Sequence, residues 1–395
     1  ISYPQHSYCC AAVPVYNTSN TRDFQVDPAD AHLTVPQLVS KYGYPVEQHR
    51  VITEDGYVLE LHRIPGGKGA IPVFLMHGLL CSSADWVLVG PNNALAYLLA
   101  DEGYDVWLGN ARGNIYSRAH LTLTPNMFAF WQFSWHEIGF YDLPAMIDYI
   151  LVQSGHQKLH YIGHSQGNTS FYVMASTRPE YNEKIHLMQA LAPVAYTQYI
   201  QSPLLKIMSL FQDTLTVLFE IFGIDEFLPN NAILHDIASL LCPSSTVNNL
   251  CLNVLFQLAG SDPEQVDLKL FPMIIGHTPA GAATKQIAHY AQGIRSHQFR
   301  RYDHGKIKNQ FIYGVSTPPV YNLTEITAPV MFHYALNDYL ASPADVDRLS
   351  PQIPNLVGRR QVDHVKFNHL DFLLAKDVKE LLYDEIISRL QLWKA

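Results

Sequence analysis

The segment Leu159-His160-Tyr161-Ile162 followed by Gly163-His164-Ser165-Gln166-Gly167 reads as an apolar strand that turns sharply into a helix with a serine at the apex. A serine held there sits in strained backbone, and any side chain two positions before or after it collides with the crossing strand and helix. Glycine at both flanks follows from that crowding. The string alone is weak, since average glycine and serine usage gives roughly 0.1 such matches by chance in a chain of this length. Its surroundings add weight. Residues Asn168 to Thr177 read as a helix that cannot extend past Pro179, because proline lacks an amide hydrogen and disfavours helix before it. The bland alternative is a serine that only caps this helix.

Around this turn the chain alternates strands and helices. Val51 to Arg63 reads as a hairpin with Asp55-Gly56 at its turn, and Ile71 to Met76 is a continuous apolar run, as expected of a strand buried on both faces. A helix at Asn93 to Asp101, a strand at Asp105 to Leu108 and a helix near Leu143 to Gln153 follow, which predicts a mostly parallel α/β sheet. The rhythm breaks near Tyr196 and resumes at Pro329 to Ala335, before a terminal helix expected from Ala375 to Leu392. The expected organisation is an N-terminal arm (1–33), a sheet domain in two parts (34–195 and 316–395) and a helical insertion (196–315). The insertion carries the apolar stretch Leu204 to Phe227, which charges at Lys206, Asp213 and Glu220 interrupt, so it is not read as a membrane span.

Charged residues make up only 15% of the 395, and the net charge of −9 argues against a nucleic-acid partner, whose phosphates need a basic face. Nineteen histidines would add positive charge as pH falls through about 6 to 7. The chain opens without methionine and without a basic start or signal-length apolar stretch, so a processed, secreted or lysosomal protein is expected. Sequons occur at Asn17, Asn168 and Asn322, of which Asn17 and Asn322 are expected to be usable, because a glycan at Asn168 would obstruct the turn. The five cysteines are an odd number, and Cys242 and Cys251 are near enough in sequence to bridge, for about 2–3 kcal/mol in the chain-entropy picture.

An apical serine needs a base to take its proton and a carboxylate to orient that base, in the chain order serine, acid, histidine. Asp338 follows the resumed strand, where active-site loops gather, while Asp345 and Asp347 sit in the helical segment after it. Two histidines remain as bases, His369 in the connection before the terminal helix and His364 nearer the strand end, and spacing does not separate them. Oxyanion donors are expected from the amide after the serine, that of Gln166, and from the loop His77-Gly78-Leu79-Leu80. His136-Glu137-Ile138-Gly139-Phe140 lacks the second histidine of a zinc protease, and Gly66-Gly67-Lys68-Gly69 precedes a strand rather than opening a helix, so neither a metal nor a cofactor is implied.

Several strings then align with one family: Lys41-Tyr42-Gly43-Tyr44-Pro45, Thr53-Glu54-Asp55-Gly56-Tyr57, His77-Gly78-Leu79-Leu80, Gly103 to Asn110, Tyr141-Asp142-Leu143-Pro144-Ala145, Gly163 to Gly167 and Asn368-His369-Leu370-Asp371-Phe372. Together, from about Thr34 to the C-terminus, they resemble the acid lipases, the gastric and lysosomal lipases. The resemblance implies an α/β-hydrolase fold with a cap and lid insertion, acting on triacylglycerols or cholesteryl esters at a lipid–water interface. It implies Ser165 as nucleophile, Asp338 as acid, His369 as base, the amides of Leu79 and Gln166 as oxyanion hole, and a Cys242–Cys251 bridge. The chain departs from the family at Tyr334-Ala335-Leu336-Asn337, where glycines usually precede the acid, at Asn168, where threonine is usual, at Cys81, and at Ala259, where a free cysteine is common. An esterase for soluble esters and a non-catalytic lipid-binding protein are the alternatives.

Overall fold

A computed structural model describes residues 27–210, 225–229 and 245–393. Asn17, Cys9, Cys10, Cys242, the side chain of Cys251 and most of the apolar stretch from Leu204 to Phe227 lie outside the described residues, so the expected bridge, the first sequon and the expected lid lie there too.

The strands are β1 (Glu47–Ile52), β2 (Tyr57–Ile64), β3 (Pro72–Met76), β4 (Asp105–Leu108), β5 (Ala119–His120), β6 (Leu159–His164), β7 (Ile185–Leu191), β8 (Glu226–Phe227), β9 (Ala282–Ala283), β10 (Val330–Tyr334) and β11 (Leu356–Gln361). The main sheet runs β1-β2-β4-β3-β6-β7-β10-β11, with β5 paired to β2, while β8 and β9 form a separate pair. From β4 to β11 every neighbour is parallel, and β1, β2 and β5 are antiparallel.

Burial follows position in the sheet. The central strands β3, β4 and β6 are buried at every residue, whereas the edge strands β1 and β11 alternate between half-buried and exposed. Continuous apolar runs are what helices on both faces require, and two hydrophobic clusters lie there, one around Phe74, Tyr161 and Phe171, the other around Leu75, Trp86, Ile162 and Phe372. The hairpin turn expected at Asp55-Gly56 joins β1 to β2 in register Ile52 to Val58. The terminal helix starts later than expected, with a wide turn at Lys379–Tyr383 leading into Asp384–Leu392.

The described part of the expected N-terminal arm is anchored at Asp30 and Ala31, while Asp27, Ala29 and His32 are exposed. Asp30 and Ala31 are buried, and a Cβ placed on Gly276 would lie 2.4 Å from the Ala31 carbonyl oxygen, so this stretch packs tightly on helix Phe271–His277. Asp30 is neutralised inside the fold by Lys41 and also accepts from the Tyr42 hydroxyl. Between β7 and β10 the described chain adds no strand to the main sheet and contributes helices Pro203–Leu210, Ser245–Ala259, Phe271–His277, Thr284–Ser296 and Lys306–Tyr313. Among the described residues no helix is long and apolar enough to cross a membrane.

Candidate active site

Ser165 stands between β6 and helix Gln166–Thr177 at φ 51° and ψ −114°. A side-chain-bearing residue held there costs about 1–3 kcal/mol, so the surrounding structure must over-determine the turn. It does so by close packing. A Cβ on Gly163 would sit 2.5 Å from Asn168 Oδ1, and one on Gly167 would sit 2.3 Å from the Met76 carbonyl oxygen at the end of β3. The turn is also tied to β7: the Ser165 amide donates to the Leu191 carbonyl at 3.1 Å. Asn168 Nδ2 donates to the same oxygen at 2.7 Å and to Ala192 O at 3.3 Å. Asn168, a departure from the family pattern, is therefore a fully buried tie between helix and sheet.

Three further loops converge on the carboxyl ends of the parallel strands. After β10, Asp338 is fully buried and its Oδ1 accepts the amides of Leu340 and Ala341, each at 2.8 Å. His369 Nδ1 lies 2.9 Å from Asp338 Oδ2 and 3.0 Å from Oδ1. A carboxylate only accepts, so Nδ1 carries the hydrogen and Nε2 is left as the basic nitrogen. The Tyr334-Ala335-Leu336-Asn337 departure is absorbed, since Ala335 packs in the core and Asn337 Nδ2 donates to Ser261 O at 3.0 Å and Lys366 O at 2.7 Å.

His369 is fixed against the elbow through its backbone. His164 Nε2 donates to the His369 carbonyl at 3.0 Å, and the two rings lie 4.9 Å apart. The Ser165 hydroxyl, which is partly exposed, makes no hydrogen bond among the described residues. Nucleophile–base bonds of this kind are commonly long without substrate and tighten in the complex. His364, the other base considered, pairs instead with buried Asp262 at 2.7 Å. Asp345 accepts the Tyr199 amide at 2.8 Å, and Asp347 pairs with Arg359, so neither serves His369. Asp262, Glu264 and His364 bring ligand atoms within 4.8 Å of one another, and exposed Glu264 is paired with Lys366.

The loop after β3 touches the nucleophile: a Cβ on Gly78 would lie 3.3 Å from Ser165 Cβ. No carbonyl takes the amide of Leu79 or of Gln166 among the described residues, and as the first residue of its helix Gln166 has no intrahelical acceptor. His77 braces this loop, with Nδ1 donating to Gly78 O at 2.7 Å and Nε2 accepting the Ala111 amide at 3.1 Å and Asn114 Nδ2 at 3.2 Å. That pattern requires a neutral ring, and burial pushes its pKa down to about 4. Burial likewise pushes the Cys81 thiol well up and neighbouring Asp85 up to about 7, and Cys81 is a free cysteine.

Two supports had little or no signal in the sequence. Asn368 and Asp371 bond reciprocally around His369, with the Asn368 amide donating to Asp371 Oδ2 at 2.7 Å and Asn368 Oδ1 accepting the amides of Leu370 and Asp371. Asp371 is itself pushed up to about 8, chiefly by burial and then by the nearby carboxylates of Asp262 and Asp338. The other is Gln286, on helix Thr284–Ser296, whose Oε1 accepts from Gln166 Nε2 at 2.7 Å across 120 positions of sequence.

Comparison with known proteins matches the same features. Residues 35–90 match the family described as a partial alpha/beta-hydrolase lipase region, and residues 71–219 match the alpha/beta hydrolase fold. The chain is 46% identical to Lipase 1 of Drosophila melanogaster over 91% of this chain and 80% of that protein. The chain belongs to the acid lipase family, hydrolases of lipid esters. Gastric triacylglycerol lipase of Homo sapiens is 39% identical over 95% of this chain and 96% of its own. Among solved structures, carboxylesterase CesB of Bacillus subtilis superposes with a TM-score of 0.50 at 13% identity, covering 92% of this chain and 96% of that one. At that identity the likeness concerns the α/β-hydrolase fold alone. The resemblance read in the motifs and the expected fold class are thus both borne out.

Proposed function

We propose that this acid lipase hydrolyses triacylglycerols at a lipid–water interface through Ser165, His369 and Asp338. The observation that carries the reading is the contact of buried Asp338 with His369 Nδ1 beside the Ser165 turn. His369 Nε2 takes the Ser165 proton as the hydroxyl attacks the ester carbonyl, and Asp338 stabilises the resulting imidazolium. The amides of Leu79 and Gln166 receive the negative charge on the carbonyl oxygen. His369 then protonates the leaving alcohol, and water repeats the sequence on the acyl-enzyme. Residues 196–315 act as a cap and lid over the acyl chain. Trafficking is through the secretory route with glycosylation at Asn322, an exposed residue in a short turn.

Labelling with a fluorophosphonate, abolished in Ser165→Ala, tests the nucleophile. Hydrolysis of trioleoylglycerol and of cholesteryl oleate, each followed as substrate passes from monomer or micelle to emulsion, tests the substrate. A rate that rises on emulsification and favours the glyceride is expected. Strict preference for monomeric short-chain esters would make the protein a soluble esterase, and a folded, unlabelled protein would make it a binder.

A further inference from the structure

Helix Lys306–Tyr313 is built inside out. Its one buried residue is polar: Asn309 Nδ2 donates to Asp303 Oδ1 at 2.8 Å and to Ser316 O at 3.1 Å, and its Oδ1 accepts the His304 amide at 2.9 Å. The large apolar side chains point to solvent, with Ile307 at 76%, Phe311 at 86% and Ile312 at 55% exposure. Ile307 and Phe311, four residues apart, share a face of the helix. Exposed single apolar residues are ordinary, but a helix whose apolar face is entirely outward, followed by exposed Val315 and Val320, is not explained by folding.

The charge pattern says what covers it. Lys306 and Lys308 flank the apolar residues and are exposed, and no acidic residue occurs between Asp303 and Glu325. Asp303 is itself engaged by Arg300, and Arg301 stands over the Tyr313 ring. In a chain of net charge −9 this segment is locally positive. Apolar residues bordered by lysines on a short exposed helix match an anionic lipid surface, where rings and branched chains enter the acyl boundary and ammonium groups meet the headgroups. A fluid surface also needs no shape complement, which a patch of this size could not supply to a protein.

We propose that helix Lys306–Tyr313 docks this lipase onto lipid surfaces that carry anionic phospholipid headgroups. The proposal deepens the lipase reading and rests on it, but its readout is binding, separable from turnover. The test is co-sedimentation of the full chain with vesicles of phosphatidylcholine alone and of phosphatidylcholine mixed with phosphatidylglycerol. Binding should be stronger on the anionic vesicles and fall with salt. The double change Ile307→Ser with Phe311→Ser should weaken it at least about tenfold, since each side chain loses a full apolar burial. Lys306→Gln and Lys308→Gln should each cost about fivefold on the anionic vesicles only. Thermal unfolding and hydrolysis of a soluble short-chain ester should be unchanged in all variants. Unaltered vesicle binding in the double serine variant would overturn the proposal, and so would a concentration-dependent dimer that this variant abolishes, because the face would then belong to a second copy. Loss of soluble-ester hydrolysis in the unmodified chain would instead strike the catalytic reading.

Discussion

Replacing Asp338 by asparagine exchanges one oxygen for an amide nitrogen, and the surroundings decide which way the new side chain faces. Asp338 Oδ1 accepts two backbone amides, from Leu340 and Ala341, both at 2.8 Å. An NH2 group placed there would confront two donors, so the asparagine oxygen must keep that position and its NH2 must face His369 Nδ1, now 2.9 Å from Oδ2. The imidazole can then only accept at Nδ1, which moves its hydrogen to Nε2 and removes the base that Ser165 needs. Loss of the correct tautomer lowers kcat by about 10⁴ in enzymes of this design, or about 5.4 kcal/mol of transition-state stabilisation at 1.36 kcal/mol per tenfold. Both amide bonds survive, so stability should change by only about 1–2 kcal/mol, the difference between a charge-assisted and a neutral hydrogen bond. The assay is steady-state hydrolysis of p-nitrophenyl butyrate beside a thermal melt, with His364→Gln as control at full activity. An Asp338→Asn enzyme within tenfold of the parent, or a His364→Gln enzyme that is dead while folded, would refute the assignment of His369 and Asp338.

Two other outcomes can be read from stability. Gly167→Ala places a methyl 2.3 Å from the immovable carbonyl oxygen of Met76, so it should destabilise by about 1–3 kcal/mol or more and reduce soluble-ester turnover, and a melt within a degree of the parent would mean the elbow is looser than drawn. The pH dependence of unfolding should combine two opposed contributions below about pH 6.5 and a net fall above it. His77 and His136, each pushed down to about 4, are neutral when folded but take up protons once unfolded below 6.5, so their contribution falls as pH drops from about 6.5 to 4. Asp371, pushed up to about 8, and Asp85, up to about 7, hold protons when folded that the unfolded chain releases near 3.8, so their contribution falls as pH rises from about 4 to 8, and above about 6.5, where the histidines no longer oppose it, it forms a falling alkaline limb. Calorimetry across this range should show Asp371→Asn flattening the alkaline limb, and an unaltered slope would remove Asp371 from the account.

Legibility in the sequence tracked how local the physical cause was. The elbow was readable because its glycines and serine fall within five consecutive residues, and β3 was readable because burial on both faces leaves an unbroken apolar run. His369 and His364 could not be separated by spacing, since what distinguishes them is that Asp338 meets one and Asp262 the other, contacts set by the folded loops. The burial of Asp30 had no signal in the sequence, because its partners Lys41 and Tyr42 meet it only once the end of the next helix has folded against it. His77 showed no duty of its own in the sequence, because its task depends on Ala111 and Asn114 arriving from another strand end.

The bond between Gln166 and Gln286 has a practical corollary for anyone recombining these enzymes. The residue whose amide follows the nucleophile is steadied by a side chain grown from the segment between β7 and β10, so that segment is not a detachable accessory. A chimera that transplants a foreign segment without glutamine at position 286 should leave the Gln166 carboxamide buried with neither end satisfied, and its turnover should suffer even on substrates too small to reach the graft.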